Sequence, residues 1–423
     1  MRIKPGGVLV PCERGVDGEY VEEGVAIEDA FARHGKWIDP MQDPQRQISE
    51  GSHALGVRAL DLQGGGFRNG TVRKLAHILK VNTTVTRLNL AWNAIGNPGA
   101  TFVADSLAHN RSLLQLDLSH NEIGDNGARR MAEALGSDDG RPLWGWGAGQ
   151  CAALKVHGDI GAQAWYQSDK ESVPCGVGNV TLRSLSLDCN PIEAEGRRAL
   201  LASVSCNGGL QYLSLGGGIA VGRDAVLLGQ ALWCNCNLTS LRVEDSHIGV
   251  SAARELAKVI ARPRGTLRTL NLARNKLGSD GAAEIANSLK PFKVCDEAFT
   301  ERDNAFITEG TASTDDIDFS QPSLTELNLM ANNIGREGLI SLASALHTNA
   351  SLQTLILSDN QCHDEGGLAL AEALLHNTSI HSMYFYDNTI KLDATHEISQ
   401  ILKGAPGLKC TDMVFGIGLP GNA

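Results

Sequence analysis

The chain has 423 residues, 42% of them hydrophobic and only 5% aromatic, with a formal net charge of −11. Its acidic balance and scattered basic residues disfavour nucleic-acid binding. No stretch approaches the roughly 18 apolar residues of a membrane span, and MRIKPGGVLVPCERG lacks the apolar core of a secretory leader.

Residues 1–56 are rich in glycine, proline and charge and are read as a cap or partly disordered region, with 25–37 (VAIEDAFARHGKW) as a short amphipathic cap. From residue 57 one sentence repeats: VTRLNLAWNAIG at 85–96, LLQLDLSHNEIG at 113–124, LRTLNLARNKLG at 267–278 and LTELNLMANNIG at 324–335. Its central aliphatic position falls at Leu60, Leu88, Leu116, Leu185, Leu213, Leu241, Leu270, Leu327, Leu355 and Met383. Six of the nine steps are 28 residues and one is 29, while the remaining two, 69 and 57, carry inserts of 41 and 29. A fixed period in this range marks a solenoid and overrides the expectation of separate globular domains.

Within a repeat, L-x-L predicts a short strand with leucines inward and the alternate residues outward. A helix follows, with inward sets such as Val103, Ala104 and Leu107, or Ile285, Ala286 and Leu289. A glycine stands near most helix starts, at Gly99, Gly127, Gly196, Gly281, Gly338 and Gly366. Asn93, Asn121, Asn190, Asn275, Asn332, Asn360 and Asn388 are expected to be buried, their amides satisfying the turns of two neighbouring repeats. Gly218 and Ser246 replace this asparagine in the two central repeats. Strands stack about 4.8 Å apart and helices about 10 Å, so the stack should bend with the strands inside.

This pattern resembles the leucine-rich repeat family, specifically its ribonuclease-inhibitor-like class, over residues 57–405. The resemblance implies an α/β horseshoe solenoid with a parallel β-sheet on the concave face and helices on the convex face. The expected organisation is a solenoid over 57–410 with about ten repeats, inserts at about 137–178 and 293–322, and a tail over 411–423. The first insert holds Trp144, Trp146, Trp165 and Tyr166. The second carries eight acidic residues against Lys293 and Arg302. Both enter between a helix and the next strand and are read as rim projections or as disordered loops.

Six N-x-[S/T] sequons, at Asn82, Asn110, Asn179, Asn237, Asn349 and Asn377, fall just before strands. They are read as structural, with the asparagine in the left-handed turn that ends a helix. Ten cysteines show no framework of pairs and are read as reduced thiols of a cytoplasmic protein, with Cys151 and Cys175 the one pair worth testing. There is no phosphate loop, C-x-x-C or H-E-x-x-H, and Cys234, Cys236 and His247 lack a metal-site spacing. His109, His347 and His376 are read as repeat consensus. No cofactor is expected.

The expected function is therefore a non-enzymatic scaffold, a monomer, that binds a protein partner through the concave face. Its contact candidates are Arg87, Asp117, Tyr212, Arg242, Glu244, Glu326, Met330, Ile356, Tyr384 and Tyr386. The last four suggest an aromatic anchor near the C-terminal end. An alternative is a similarity to Ran GTPase-activating proteins. The strongly acidic tail of that family is missing here, since Asp412 is the sole acid in 404–423.

Overall fold

The computed structural model describes residues 2–4, 8–10, 58–136, 178–262, 265–291, 321–407 and 413–414. The chain forms two compact units, residues 1–214 and 215–423. The 25–37 stretch, almost all of both inserts, the Cys151–Cys175 pair and the tail beyond 414 lie outside the described residues.

The first unit opens on an antiparallel hairpin, β1 (Arg2–Lys4) and β2 (Val8–Val10), which the repeat pattern did not signal. Five strands then alternate with helices. They are β3 (Ala59–Asp61), α1 (Asn69–Val81), β4 (Arg87–Asn89), α2 (Asn97–Leu107), β5 (Gln115–Asp117), α3 (Asp125–Gly136), β6 (Ser184–Ser186), α4 (Ala194–Cys206) and β7 (Tyr212–Ser214). Consecutive strands pair in parallel with the anchor leucines opposite one another.

The second unit repeats the scheme. It comprises α5 (Ala225–Cys234) after a short 3-10 turn, β8 (Ser240–Arg242), α6 (Val250–Ile260), β9 (Thr269–Asn271), α7 (Gly278–Leu289), β10 (Glu326–Asn328), α8 (Arg336–Leu346), β11 (Thr354–Ile356), α9 (His363–Leu374), β12 (Ser382–Tyr384) and α10 (Leu392–Leu402). Parallel pairing runs β8-β9-β10-β11-β12 and ends on β13 (Met413–Val414), which sets Val414 beside Tyr384. No helix among the described residues is long and apolar enough to cross a membrane.

All ten anchor positions are at most 2% exposed, and the inward helix sets around Val103, Met131, Ile285 and Leu342 are at most 4% exposed. The inserts leave register untouched: Leu116 pairs with Leu185 and Leu270 with Leu327, as in uninterrupted repeats. The first insert leaves and returns at one point. Gly178 (φ 123°) lies so close to the end of α3 that a Cβ there would sit 2.2 Å from the Leu135 carbonyl oxygen.

Three sets of polar contacts tie each repeat to the next. The first is the expected asparagine ladder. Asn121 Nδ2 donates to Leu118 O, Ser119 O and, in the preceding repeat, Leu90 O, while its Oδ1 accepts the Ile95 N–H. Asn190 and Asn275 act in the same way. At Ser246 a hydroxyl donates to Leu215 O and Glu244 O in place of the amide. Asn93, in the second repeat, and Asn388, in the last, are half-buried rather than buried.

The second ladder corrects the reading of the sequons. Asn82 and Asn207 are extended, at φ −73° and −74°, not left-handed. Each such side chain instead closes an Asx turn into the next strand and reaches back one repeat. Asn110 Oδ1 accepts the Ser112 and Leu113 N–H groups, and its Nδ2 donates to Leu79 O and Asn82 O. The hydroxyl at the third sequon position joins in: Ser112 Oγ donates to Asn82 O at 2.9 Å and Ser379 Oγ to Asn349 O at 3.3 Å. Asn110, Asn179, Asn349 and Asn377 are no more than 3% exposed, so a glycan on them would not fit the folded chain. The ladder also includes Asn207 and Asn235, which are not sequons, and passes over Asn237, which only donates its backbone N–H to Asn235 Oδ1.

The third set explains the helix glycines. The helices are not capped by their own N-cap side chains. Asn69, at the start of α1, accepts the Gly96 and Gly99 N–H groups at the start of α2. Asn97 does the same for Gly124 and Gly127, and Asp125 for Glu193. A Cβ on Gly99 would lie 2.7 Å from Asn69 Oδ1 and 2.6 Å from Ile95 Cγ2, so only glycine lets the neighbour's cap approach. In the second unit Asp364 caps Lys391, and that backbone N–H holds its carboxyl below the usual range.

Leu116→Ala should cost about 2–5 kcal/mol in urea denaturation, because the cavity would open between stacked repeats. Deleting 137–177 should instead preserve the far-ultraviolet circular dichroism signal of the repeats and shift Tm by only a few degrees, since Gly136 and Gly178 already meet.

Candidate protein-binding face

In each unit the outward residues of consecutive strands form rows across the sheet. The row one residue past the anchor is less free than alternation implies. Asn89 Oδ1 accepts the Ala91 N–H, Asp117 Oδ1 accepts Ser119 N–H at 2.8 Å and Ser119 Oγ at 2.6 Å, and Asn271 and Asn328 close the same turn. Asp117 and Asn271 therefore brace the strand exit.

Immediately beyond, the residue before each ladder asparagine adopts left-handed backbone: Trp92 (φ 58°), His120 (53°), Cys189 (54°), Asp245 (50°), Arg274 (54°), Ala331 (55°), Asp359 (57°) and Asp387 (55°). Their N–H groups continue the inter-strand hydrogen bonding, Trp92 to Ser119 O and Asp359 to Tyr386 O. This row of turn residues escaped the sequence reading because the turn breaks the alternation on which that reading rests.

The first unit brings few of its candidates together. Arg87 is exposed on β4, Asp117 lies half-buried on β5, and Tyr212 stands on β7, beyond β6. Asp188 is engaged by Ser214 Oγ, at 2.7 Å and 2.6 Å to its two oxygens. Trp92, 56% exposed, stacks on His120 with ring centroids 3.7 Å apart and an interplanar angle of 11°.

The second unit is zoned. On β8 and β9, Arg242 and Glu244 pair with each other at 2.5 Å, and Arg274 approaches the same carboxylate at 3.6 Å, so two contact candidates already engage one another. On β10–β12 the character changes. Ile356 pairs in register with Tyr384, which is 37% exposed, and Met330 and Tyr386 occupy the row beyond, with Ser358 between them. Glu326 stands on the same face at the start of β10. Ser358 is fully buried, and its hydroxyl has no hydrogen-bond partner. Asn332 Oδ1 is the other orphan: the preceding repeat starts its helix at Gly278 (φ 62°), whose N–H goes to the Asn332 backbone carbonyl.

Burial pushes the Cys362 thiol up to about 12, which leaves it un-ionised and inert. Among the described residues no trio of His, Cys, Asp or Glu is placed to hold a metal ion.

A sequence model described as Leucine Rich repeat matches residues 81–104, 109–132, 178–201, 266–286, 320–343 and 348–371. The chain is a leucine-rich repeat protein. The match does not resolve the ribonuclease-inhibitor-like class. No curated protein matches the sequence. Among solved structures, this leucine-rich repeat chain is similar to LegL7 from Legionella pneumophila, at 16% identity and a TM-score of 0.41, over 88% of this chain and 96% of that one. It is also similar to an internalin from Listeria monocytogenes, at 14% identity and a TM-score of 0.32, over 84% and 86%. A third is the Actin-Binding Site 2 of Leiomodin-1, at 17% identity and 0.28, over 41% and 80%.

Removing the orphan hydroxyl should help the fold. Ser358→Ala is expected to stabilise the protein by about 1 kcal/mol, read as a raised urea midpoint at unchanged slope, because a buried donor without a partner is lost.

Proposed function

We propose that this leucine-rich repeat protein is a non-enzymatic interaction scaffold that binds a protein partner through the outward face of its sheet. The observation that carries the reading is the cluster on β10–β12, where Met330, Ile356, Tyr384 and Tyr386 come from three neighbouring strands. Two tyrosines beside the apolar Met330 and Ile356, gathered at one place on a mostly small and polar face, are the composition of an interface hot spot. The rigid backing of two asparagine ladders supports the same reading, because a pre-ordered surface loses less entropy on binding. The protein acts as a monomer in the cytoplasm. Free thiols at Cys236 and Cys362 agree with a reducing compartment.

Affinity purification with the wild type, Tyr384→Ala/Tyr386→Ala and the helix-side control Arg130→Ala tests this. The control should retain the specific partners and the tyrosine double variant should lose them. Equal recovery of every partner by the double variant would remove this face from the account.

A further inference from the structure

The cluster on β10–β12 carries information about the charge of what it binds. At its border stand Asp359 and Asp387, exposed turn residues one repeat apart, and neither forms an ion pair among the described residues. Residues at equivalent positions on neighbouring strands lie about 5 Å apart, so the two carboxylates repel each other in the free protein. Glu326 adds a third acid, and the outward positions of β10–β12 hold no lysine or arginine: they are Glu326, Asn328 and Met330, then Thr354, Ile356 and Ser358, then Ser382, Tyr384 and Tyr386. The arginines of this face, Arg242 and Arg274, are gathered instead around Glu244 on β8 and β9.

A second observation concerns the floor of the cluster. Ser358 occupies the outward row between Met330 and Tyr386, is 0% exposed, and leaves its hydroxyl oxygen without a donor. An unsatisfied polar atom enclosed beneath an apolar cluster destabilises the free protein.

We propose that this part of the face takes an extended basic segment of a protein partner, with an arginine as its central contact. The guanidinium plane lies over the rings of Tyr384 and Tyr386, and its aliphatic stem covers Met330 and Ile356. Its N–H groups donate to Asp359 and Asp387. Arginine suits the site better than lysine because it combines a stacking plane with several donors in a fixed fork. The inference rests on the binding face proposed above and adds the chemistry of its occupant.

The test uses two short fluorescent peptides, one of alternating arginine and leucine and one with glutamate in place of arginine, titrated against the full chain by anisotropy. Asp359→Asn/Asp387→Asn keeps the left-handed backbone, which asparagine adopts readily, and should not lower Tm. It should weaken the arginine peptide about tenfold, reflecting the loss of two charge-assisted contacts. Asp280→Asn, exposed on helix α7, should leave affinity unchanged. Equal binding of the two peptides, or equal affinity for the arginine peptide in the two variants, would overturn the inference. Should the tyrosine double variant nonetheless lose its partner in the purification experiment, the binding face would stand and only its preference for a basic segment would fall.

Discussion

Everything in this protein depends on a carboxamide that reaches into the next repeat. A repeat of about 28 residues must turn sharply twice, once leaving its strand and once entering it. Each turn strands backbone donors and acceptors in a thin core that water does not reach, and each unmet group costs on the order of 1–3 kcal/mol. Asparagine, with two donors and an acceptor on a short stem, answers both problems, which is why two ladders run along the stack. Because each amide spans two repeats, neither repeat satisfies its backbone alone. Register is thus set by polar contacts as well as by leucine packing.

That arrangement frees the outward face. Once inward leucines, ladder asparagines, cap residues and strand-exit braces such as Asp117 and Asn271 are committed, the remaining strand positions can vary without disturbing the fold. The same logic explains why the two long inserts are accommodated: they enter and leave where the helix has ended and the second ladder has not yet begun. The face so produced is uneven. Ion pairing occupies β8 and β9, while β10–β12 bring together aromatic rings, a buried orphan hydroxyl and two unneutralised carboxylates. The orphan hydroxyl and the adjacent carboxylates cost stability in the free protein.

Much of the fold was legible because leucine spacing reports directly on burial, and all ten anchors lie where the period placed them. The first ladder was legible for the same reason, since a polar residue at a fixed distance from buried leucines must itself be enclosed. The second ladder was only half legible. Its asparagines carry a sequon pattern, and the pattern misdirected at Asn237, where Asn235 does the work, and missed Asn207. The outward placement of Met330, Ile356, Tyr384 and Tyr386 followed from simple alternation along the strands. Its acidic border did not, because Asp359 and Asp387 face solvent only through left-handed turns that alternation does not describe. Nor did spacing reveal that Arg242 and Glu244 would pair with each other, or that Asp117 would fold back onto Ser119.

The reach of a single amide into its neighbour is the central claim, and amide hydrogen exchange in Asn121→Ala measures it directly. Asn121 Oδ1 accepts the Ile95 N–H of the preceding repeat, whereas the Ile123 N–H of its own repeat goes to Asn190. The account predicts faster exchange at Ile95, with Ile123 remaining slow. Acceleration confined to Ile123, or an Ile95 amide as protected as in the wild type, would contradict it.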